Sequence, residues 1–295
     1  MHKRLAAPGW SLRRRQSVLA YVLLAPVLLL LVPLFGYPIL YALWRSFQLG
    51  PAGGFGLKHY EKVFADPTVL TATFNSIAIT VASVSIQMFL AFALALLLRE
   101  QTKRWQGIRG FFILAWPLPT FVAAFAWTWL LDHNFGLVNQ AMEALGMARV
   151  AFLSEPVTAF VSVVMADVWK HLPWTLIVMI AAVTLIDSQL VEALQVDGGG
   201  YLHQVRHVIV PAIAPILPAI LVLRIVWTFN VFDLIFLMTG GGPGDRTLIL
   251  PVLIYRYAFQ NNDFGGASAL GMLILIVLSP LIWVVMGRLE RGARS

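Results

Sequence analysis

Cysteine is absent from all 295 residues, which excludes disulfides, thiolate catalysis and cysteine-ligated zinc or iron–sulfur centres. Charge is scarce too: Asp, Glu, Lys and Arg make up 12% of the chain, about half the ~25% of a soluble domain. The histidines (His2, His59, His133, His171, His203, His207) are scattered, and none stands in metal-ligand spacing. His203 and His207 lie four apart on a basic polar stretch and read as solvated or docking residues. No G-x-x-x-x-G-K-[ST] and no G-x-S-x-G occurs, so neither a phosphate loop nor a nucleophile elbow is present. No catalytic residue, metal site or cofactor is expected.

What fills the chain instead is apolar. Hydrophobic residues make up 59% and the mean hydropathy is +0.80, beyond a soluble protein. The net charge of +7 sits in short clusters beside apolar runs, as in membrane topology signals, without the basic–aromatic stripes of a nucleic-acid binder. Six apolar runs, at 18–44, 72–98, 108–131, 157–186, 211–238 and 267–287, are each long enough to cross ~30 Å of hydrocarbon. The first exceeds a signal-peptide core and no small-residue cleavage site follows it, so it reads as a retained helix. With the N-terminus inside, thirteen basic residues fall inside and six outside, which places both termini in the cytoplasm. The expected fold is an all-α membrane protein, one six-helix domain over 18–287 with basic tails at 1–17 and 288–295.

The polar connection at 187–210 is the longest one expected inside. Asp187 and Ser188 are N-cap residues, and Leu190, Val191 and Leu194 share a helical face from which Glu192 is absent. Gly198, Gly199 and Gly200 stop that helix. A second short helix is expected at 201–208, with Pro211, Pro215 and Pro218 opening the fifth run. The result is a helix–bend–helix suited to docking. On the outside, 134–147 should form a surface helix and 239–243 (TGGGP) a tight turn. Tyr255, Tyr257 and Phe259 suit an interfacial aromatic belt.

Glu192-Ala193, Asp197-Gly198 and Pro211 resemble the E-A-A-x-x-D-G-A loop of binding-protein-dependent permeases, the membrane subunits of ATP-binding-cassette importers. The chain departs from that pattern at Leu194 and Gly199, usually alanines, and at Val205, usually aromatic. Asn75-Ser76, Trp116-Pro117, Gly136-Leu137-Val138-Asn139 and the run from Phe229 to Pro243 are similar to the sugar-importer branch, and to its larger maltose-type permease. The resemblance implies an inner-membrane subunit paired with a second homologous permease, two cytoplasmic ATPases and an external solute-binding protein, carrying a sugar or related polar solute. It implies that Glu192, Ala193, Asp197, Gly198, Gly199 and Pro211 form the ATPase-coupling loop.

Polar residues inside the spans are the other candidates, because burying them in hydrocarbon is costly. Asp167 and Lys170 are three apart and could pair with each other for structure alone, or face a path. In the fifth run Arg224, Trp227, Thr228 and Val231 fall at i, i+3, i+4 and i+7, with Asn230 and Asp233 adjoining. An aromatic surface beside hydroxyl and amide groups suits a sugar, and the resemblance puts Trp227, Thr228, Asn230, Val231 and Asp233 on the substrate path. The bland alternative for Trp227 and Asn230 is helix packing. A rival function is ion-coupled secondary transport through Asp167, Lys170, Arg224 and Asp233.

Overall fold

Small residues set where the helices touch. In lipid the outer face of a span is as apolar as its core, so close approach falls to alanine and serine rather than to hydrophobic drive. The computed structural model describes residues 12–50, 53–98 and 116–292. Its helices are α1 (Leu12–Phe47), α2 (Lys58–Ala65), α3 (Pro67–Leu97), α4 (Thr120–Leu130), α5 (Leu137–Ala144), α6 (Pro156–Thr184) and α7 (Ser188–Val196). They continue with α8 (Tyr201–Ile213), α9 (Leu217–Phe229), α10 (Asp233–Thr239), α11 (Leu250–Tyr255, extended by a π turn at Arg256–Gln260) and α12 (Phe264–Gly292). Among the described residues no strand forms.

The α3–α6 pair is the spine. It buries Ala72, Ser76, Ser83, Ala91 and Ala95 from one helix and Ala159, Ser162, Ala166 and Ala182 from the other. Three apolar clusters pack around it. One, with Ile79, Val163, Ile249 and Leu270, lies toward the Pro156 end of α6. A second, with Leu172, Leu176, Ile209 and Ile220, lies toward the Thr184 end. The third joins Ala124 on α4 to Ala166, Leu234 and Met238. Helix α1 packs on α12 and leaves Leu29, Phe35, Tyr37 and Leu40 exposed.

Four described helices are long and apolar enough to cross a membrane, or five if α8 and α9 count as one bent span. The expected third span at 108–131 enters the described residues only at Trp116, and Arg99, Lys103, Arg104 and Arg109 lie outside them, as do residues 1–11 and Arg294.

The fifth run departs from expectation. It is not one helix over 211–238: α8 and α9 meet at 71°, and the chain breaks again between Phe229 and Asp233. Pro215 and Pro218 supply no backbone N–H at the first break, which removes the bonds that would carry the helix through. Pro211 does not start a new helix. It lies inside α8, where the π turn at Val205–Ile209 adjusts the hydrogen-bond ladder just ahead of it.

At the Pro156 end, long-range hydrogen bonds fix the loops. Asn75 Nδ2 donates to the carbonyls of Asp245 (2.7 Å) and Leu248 (3.0 Å), and the Leu250 amide donates to Ser76 Oγ at 2.9 Å. The TGGGP turn that these bonds hold has Gly240 and Gly241 at φ +60° and +92°, left-handed values that glycine adopts without strain. Arg256 clamps the turn, pairing with Asp245 at 2.7 Å and donating to the Gly240 carbonyl at 2.9 Å. Asn139 donates to the Asp132 and Val150 carbonyls and accepts from the Val150 amide, so α5 is tied to the segments on either side of it.

Tyr257 is not part of an aromatic belt. It is buried, and its hydroxyl donates to Asp66 Oδ2. Burial raises the Tyr257 phenol, and the Asp66 carboxylate raises it further. Burial would also raise Asp66, but bonds from Thr68 and Tyr257 outweigh it and hold that carboxyl below its ordinary range. Asp263 behaves likewise: burial is overcome by Lys62, 2.7 Å away, and by the Gly266 amide. Both carboxyls are depressed in the folded state, so their stabilisation is full above the ordinary value of 3.8 and is lost as pH falls through the lowered folded values. Tyr257→Phe should therefore cost about 1.5–3 kcal/mol near neutrality, the range for a hydrogen bond to a charged group. The difference from wild type should shrink in acid, as followed by thermal unfolding in detergent across pH 2–7.

Candidate functional site

Two places gather the candidate residues. The first is the elbow after α6. The Asp187 side chain caps α7 by accepting from the Gln189 amide at 2.9 Å. At the other end Gly198 is left-handed at φ +81°. The amides of Gly198 and Gly199 donate to the carbonyls of Gln195 (3.0 Å) and Leu194 (2.8 Å), closing a Schellman turn. Gln204 is buried and donates to the Gly199 carbonyl at 3.1 Å, locking the bend to α8. Its role has no signature in the sequence. Val205, Ile209 and Ile213 of α8 then enter the inner core cluster, so the elbow is anchored by one apolar stripe.

Glu192, Ala193 and Asp197 are exposed on this elbow, and Glu192 makes no hydrogen bond or ion pair within the described residues. Around it Leu190, Val196 and Leu202 are exposed as well. Pro211 is exposed on α8, beyond the bend.

Two of the three unusual residues of this loop, Leu194 and Gly199, share one space. A Cβ on Gly199 would stand 2.8 Å from Leu194 Cγ and 2.8 Å from the Leu194 carbonyl oxygen, closer than side chains tolerate. The Leu194 side chain and its backbone carbonyl thus both crowd the space that a side chain at 199 would need.

The second place lies between α3, α6 and α9. Arg224 is fully buried. Its Nε donates to Gln87 Oε1 at 2.8 Å and its Nη2 to Thr228 Oγ1 at 3.1 Å. The amide of Gln87, also fully buried, donates to Asp167 Oδ2 at 3.0 Å. A cation and an anion inside the bundle are thus bridged through one glutamine. His171 Nδ1 sits 2.9 Å from the other Asp167 oxygen without a well-directed hydrogen bond to it.

Asp167 and Lys170 do not pair with each other. Lys170 Nζ donates instead to the carbonyls of Trp116 (2.8 Å) and Leu118 (2.5 Å), in the non-helical stretch before α4, where Pro117 and Pro119 leave carbonyls without helical donors. Asp167, Lys170 and Arg224 are all buried and each makes structural hydrogen bonds, while Asp167 Oδ1 and Arg224 Nη1 are left without a hydrogen-bond partner among the described residues.

The expected path residues separate. Thr228 is buried and turned inward to Arg224, and Val231 is half-buried against the core clusters. Trp227, Asn230 and Asp233 are exposed. Trp227 packs edge-on against Trp174 of α6, ring centres 4.7 Å apart, with the Arg224 guanidinium 5.8 Å from its ring. Trp174 was missed from sequence, where it reads as one more apolar residue of the fourth run. Asn230 donates to the Val226 carbonyl at 2.8 Å, occupying a backbone acceptor where α9 ends.

The Asn230–Phe232 break decides the environment of this surface. Non-helical backbone at membrane depth is tolerated only within protein or beside a water-filled cavity. The bent pair α8–α9 thus carries an exposed polar elbow at one end and a break beside exposed aromatics at the other.

The comparisons agree. Residues 87–295 match the family described as binding-protein-dependent transport system inner membrane component. The chain belongs to this family. The trehalose/maltose transport system permease protein MalF of Thermococcus litoralis is 29% identical over 95% of this chain and 97% of its own length. The sulfoquinovosyl glycerol transport system permease protein SmoG of Agrobacterium fabrum is 29% identical over 96% and 94%. The diacetylchitobiose uptake system permease protein DasB of Streptomyces coelicolor is 30% identical over 90% and 84%. A bacterial importer of the acidic polysaccharide alginate has the same fold, with a TM-score of 0.83 over 94% of this chain and 96% of that one, at 22% identity.

Two predictions arise here. Gly199→Ala should destabilise the elbow by about 1–3 kcal/mol through overpacking. Adding Leu194→Ala should recover part of the loss, a coupling of at least about 0.5 kcal/mol in a double-mutant cycle read by hydrogen exchange at 188–205. Arg224→Met should destabilise the permease by about 3–5 kcal/mol, because it leaves Asp167 buried without its cation. Pairing it with Asp167→Leu should restore most of the thermal stability.

Proposed function

We propose that this chain is one of two permease subunits of an ATP-driven importer for a sugar or related polar solute. The carrying observation is that the free Glu192 and the Trp227 surface belong to one mechanical unit. Glu192 rides on α7, and α7 is locked to α8 through Gln204. Helix α8 is seated in the core through Val205, Ile209 and Ile213 and passes through the bend into α9 with Trp227.

A partner ATPase would hold the elbow in a groove, with a basic residue meeting Glu192 and apolar walls covering Leu190, Val196 and Leu202. Closure of two such ATPases on ATP would swing the elbow as a rigid body, and α9 with it, opening the cavity outward to a solute-binding protein. The hydrolytic chemistry belongs to those partners; this chain contributes half of the path. Relatives named for trehalose, maltose and diacetylchitobiose support a carbohydrate solute. The exposed apolar length of α1 and the lining at α9–α10 await a second permease.

In this reading the protein lies in the inner membrane with six spans, both termini and the 187–210 elbow on the cytoplasmic side. Ion coupling has no support, since three of its four candidate residues are sealed in structural bonds.

Glu192→Lys tests the mechanism. It should reduce ATP-dependent uptake in proteoliposomes of the whole complex by at least about 100-fold, while the permease pair still assembles and runs as one species on size exclusion. Wild-type uptake by that variant would overturn the elbow's role.

A further inference from the structure

His203 and His207 stand four apart on α8, and the fold brings their rings together. The ring centres are 4.0 Å apart, with planes inclined by 28°. His207 Nδ1 lies 3.1 Å from the His203 carbonyl oxygen. A carbonyl oxygen only accepts, so that nitrogen is the donor. The proton on Nδ1 leaves the Nε2 lone pair of His207 open, in the tautomer and anchoring that metal-bound imidazoles share. His203 is placed from the other side: a Cβ on Gly199 would come 3.4 Å from its Cδ2, so the ring lies beside the glycine bend. Both histidines are exposed. The pair also straddles a change of helix type, since His203 belongs to the α turn Tyr201–Gln204 and His207 to the π turn Val205–Ile209. Such π turns are uncommon and gather at functional positions.

We propose that His203 and His207 form a two-imidazole site for a divalent transition metal of the zinc, nickel or copper class, and that the bound ion fastens the π turn to the α turn before it. Imidazole nitrogen suits these ions, whereas magnesium and calcium prefer oxygen. Histidines at i and i+4 bring two ligating nitrogens to one side of a helix. Their rings are already adjacent, so binding requires side-chain adjustment and no change of fold. Among the described residues no group of three or more His, Cys, Asp or Glu forms a metal site. The ion would therefore keep water in its remaining positions, an open and exchangeable site rather than a closed structural one. Spacing alone marks no such site, because a third ligand is missing; the ring contact and the Nδ1 anchor are supplied by the structure. An ion held by the folded turn and less by the open one stabilises the folded turn by mass action.

The test is a calorimetric titration of the purified permease pair, free of polyhistidine tags, with ZnCl2 in detergent, joined to hydrogen exchange at 201–209. Zinc should saturate a site with half-occupancy below about 1 mM. His203→Gln and His207→Gln should each raise that value at least about 10-fold, and MgCl2 should not compete. The two variants alter exposed side chains and check one another, and the other histidines are common to every comparison. At about ten times the half-saturating zinc, exchange through openings that release the ion should slow about 10-fold in wild type and in neither variant. No saturable zinc binding, wild-type affinity in both variants, displacement by MgCl2, or binding that leaves exchange at 201–209 unchanged would each overturn the proposal. The assay uses neither ATP nor solute, so its outcome is independent of the importer reading.

Discussion

A positive charge buried without water has to be answered from within the protein, and the bundle is arranged around that necessity. Arg224 on α9 finds its counter-charge on α6 only through Gln87 on α3. The glutamine does what neither charged residue could do alone: its carbonyl faces the cation and its amide the anion. Three helices distant in sequence are thereby held at one depth. Removing any member leaves a charge or dipole stranded at low dielectric, so the junction is specific where apolar packing between spans is permissive. Whatever moves in transport must move with this junction kept whole.

The junction also explains why the aromatic surface stands where it does. Arg224 sits under the Trp227 ring and Trp174 meets that ring edge-on, so the platform is braced from below and from the side. Beyond it the helix ends, and Asn230 and Asp233 come to the surface. Arg224 is thus buried, while Asn230 and Asp233, beyond the end of α9, are exposed. At the opposite end of α8 the elbow is built by different means. An Asp cap, a left-handed glycine and one buried glutamine make a stiff projection whose outward side chains have no partner within the described chain.

Much of this was legible in the residues. Apolar runs located the long helices α1, α3, α6 and α12, the glycines after Val196 located the bend, and TGGGP located a tight turn. The elbow's resemblance to importer permeases pointed to the family that the chain belongs to. Other features left no mark. Gln87 and Gln204 look like incidental polar residues, Trp174 like lipid-facing bulk, and Tyr257 like an interfacial aromatic. The 71° bend and the break after Phe229 were hidden inside what reads as one continuous run.

The sequence by itself determined which segments are long and apolar and where the chain must turn, because hydropathy, proline and glycine act locally. The tertiary structure alone decided which polar groups meet and which side of each helix is buried. The reason is that a span in lipid is apolar all round, so its periodicity does not say which face is covered. Pairings such as Gln87 with Asp167 and Arg224, 80 and 137 residues apart, exist only once the helices have packed.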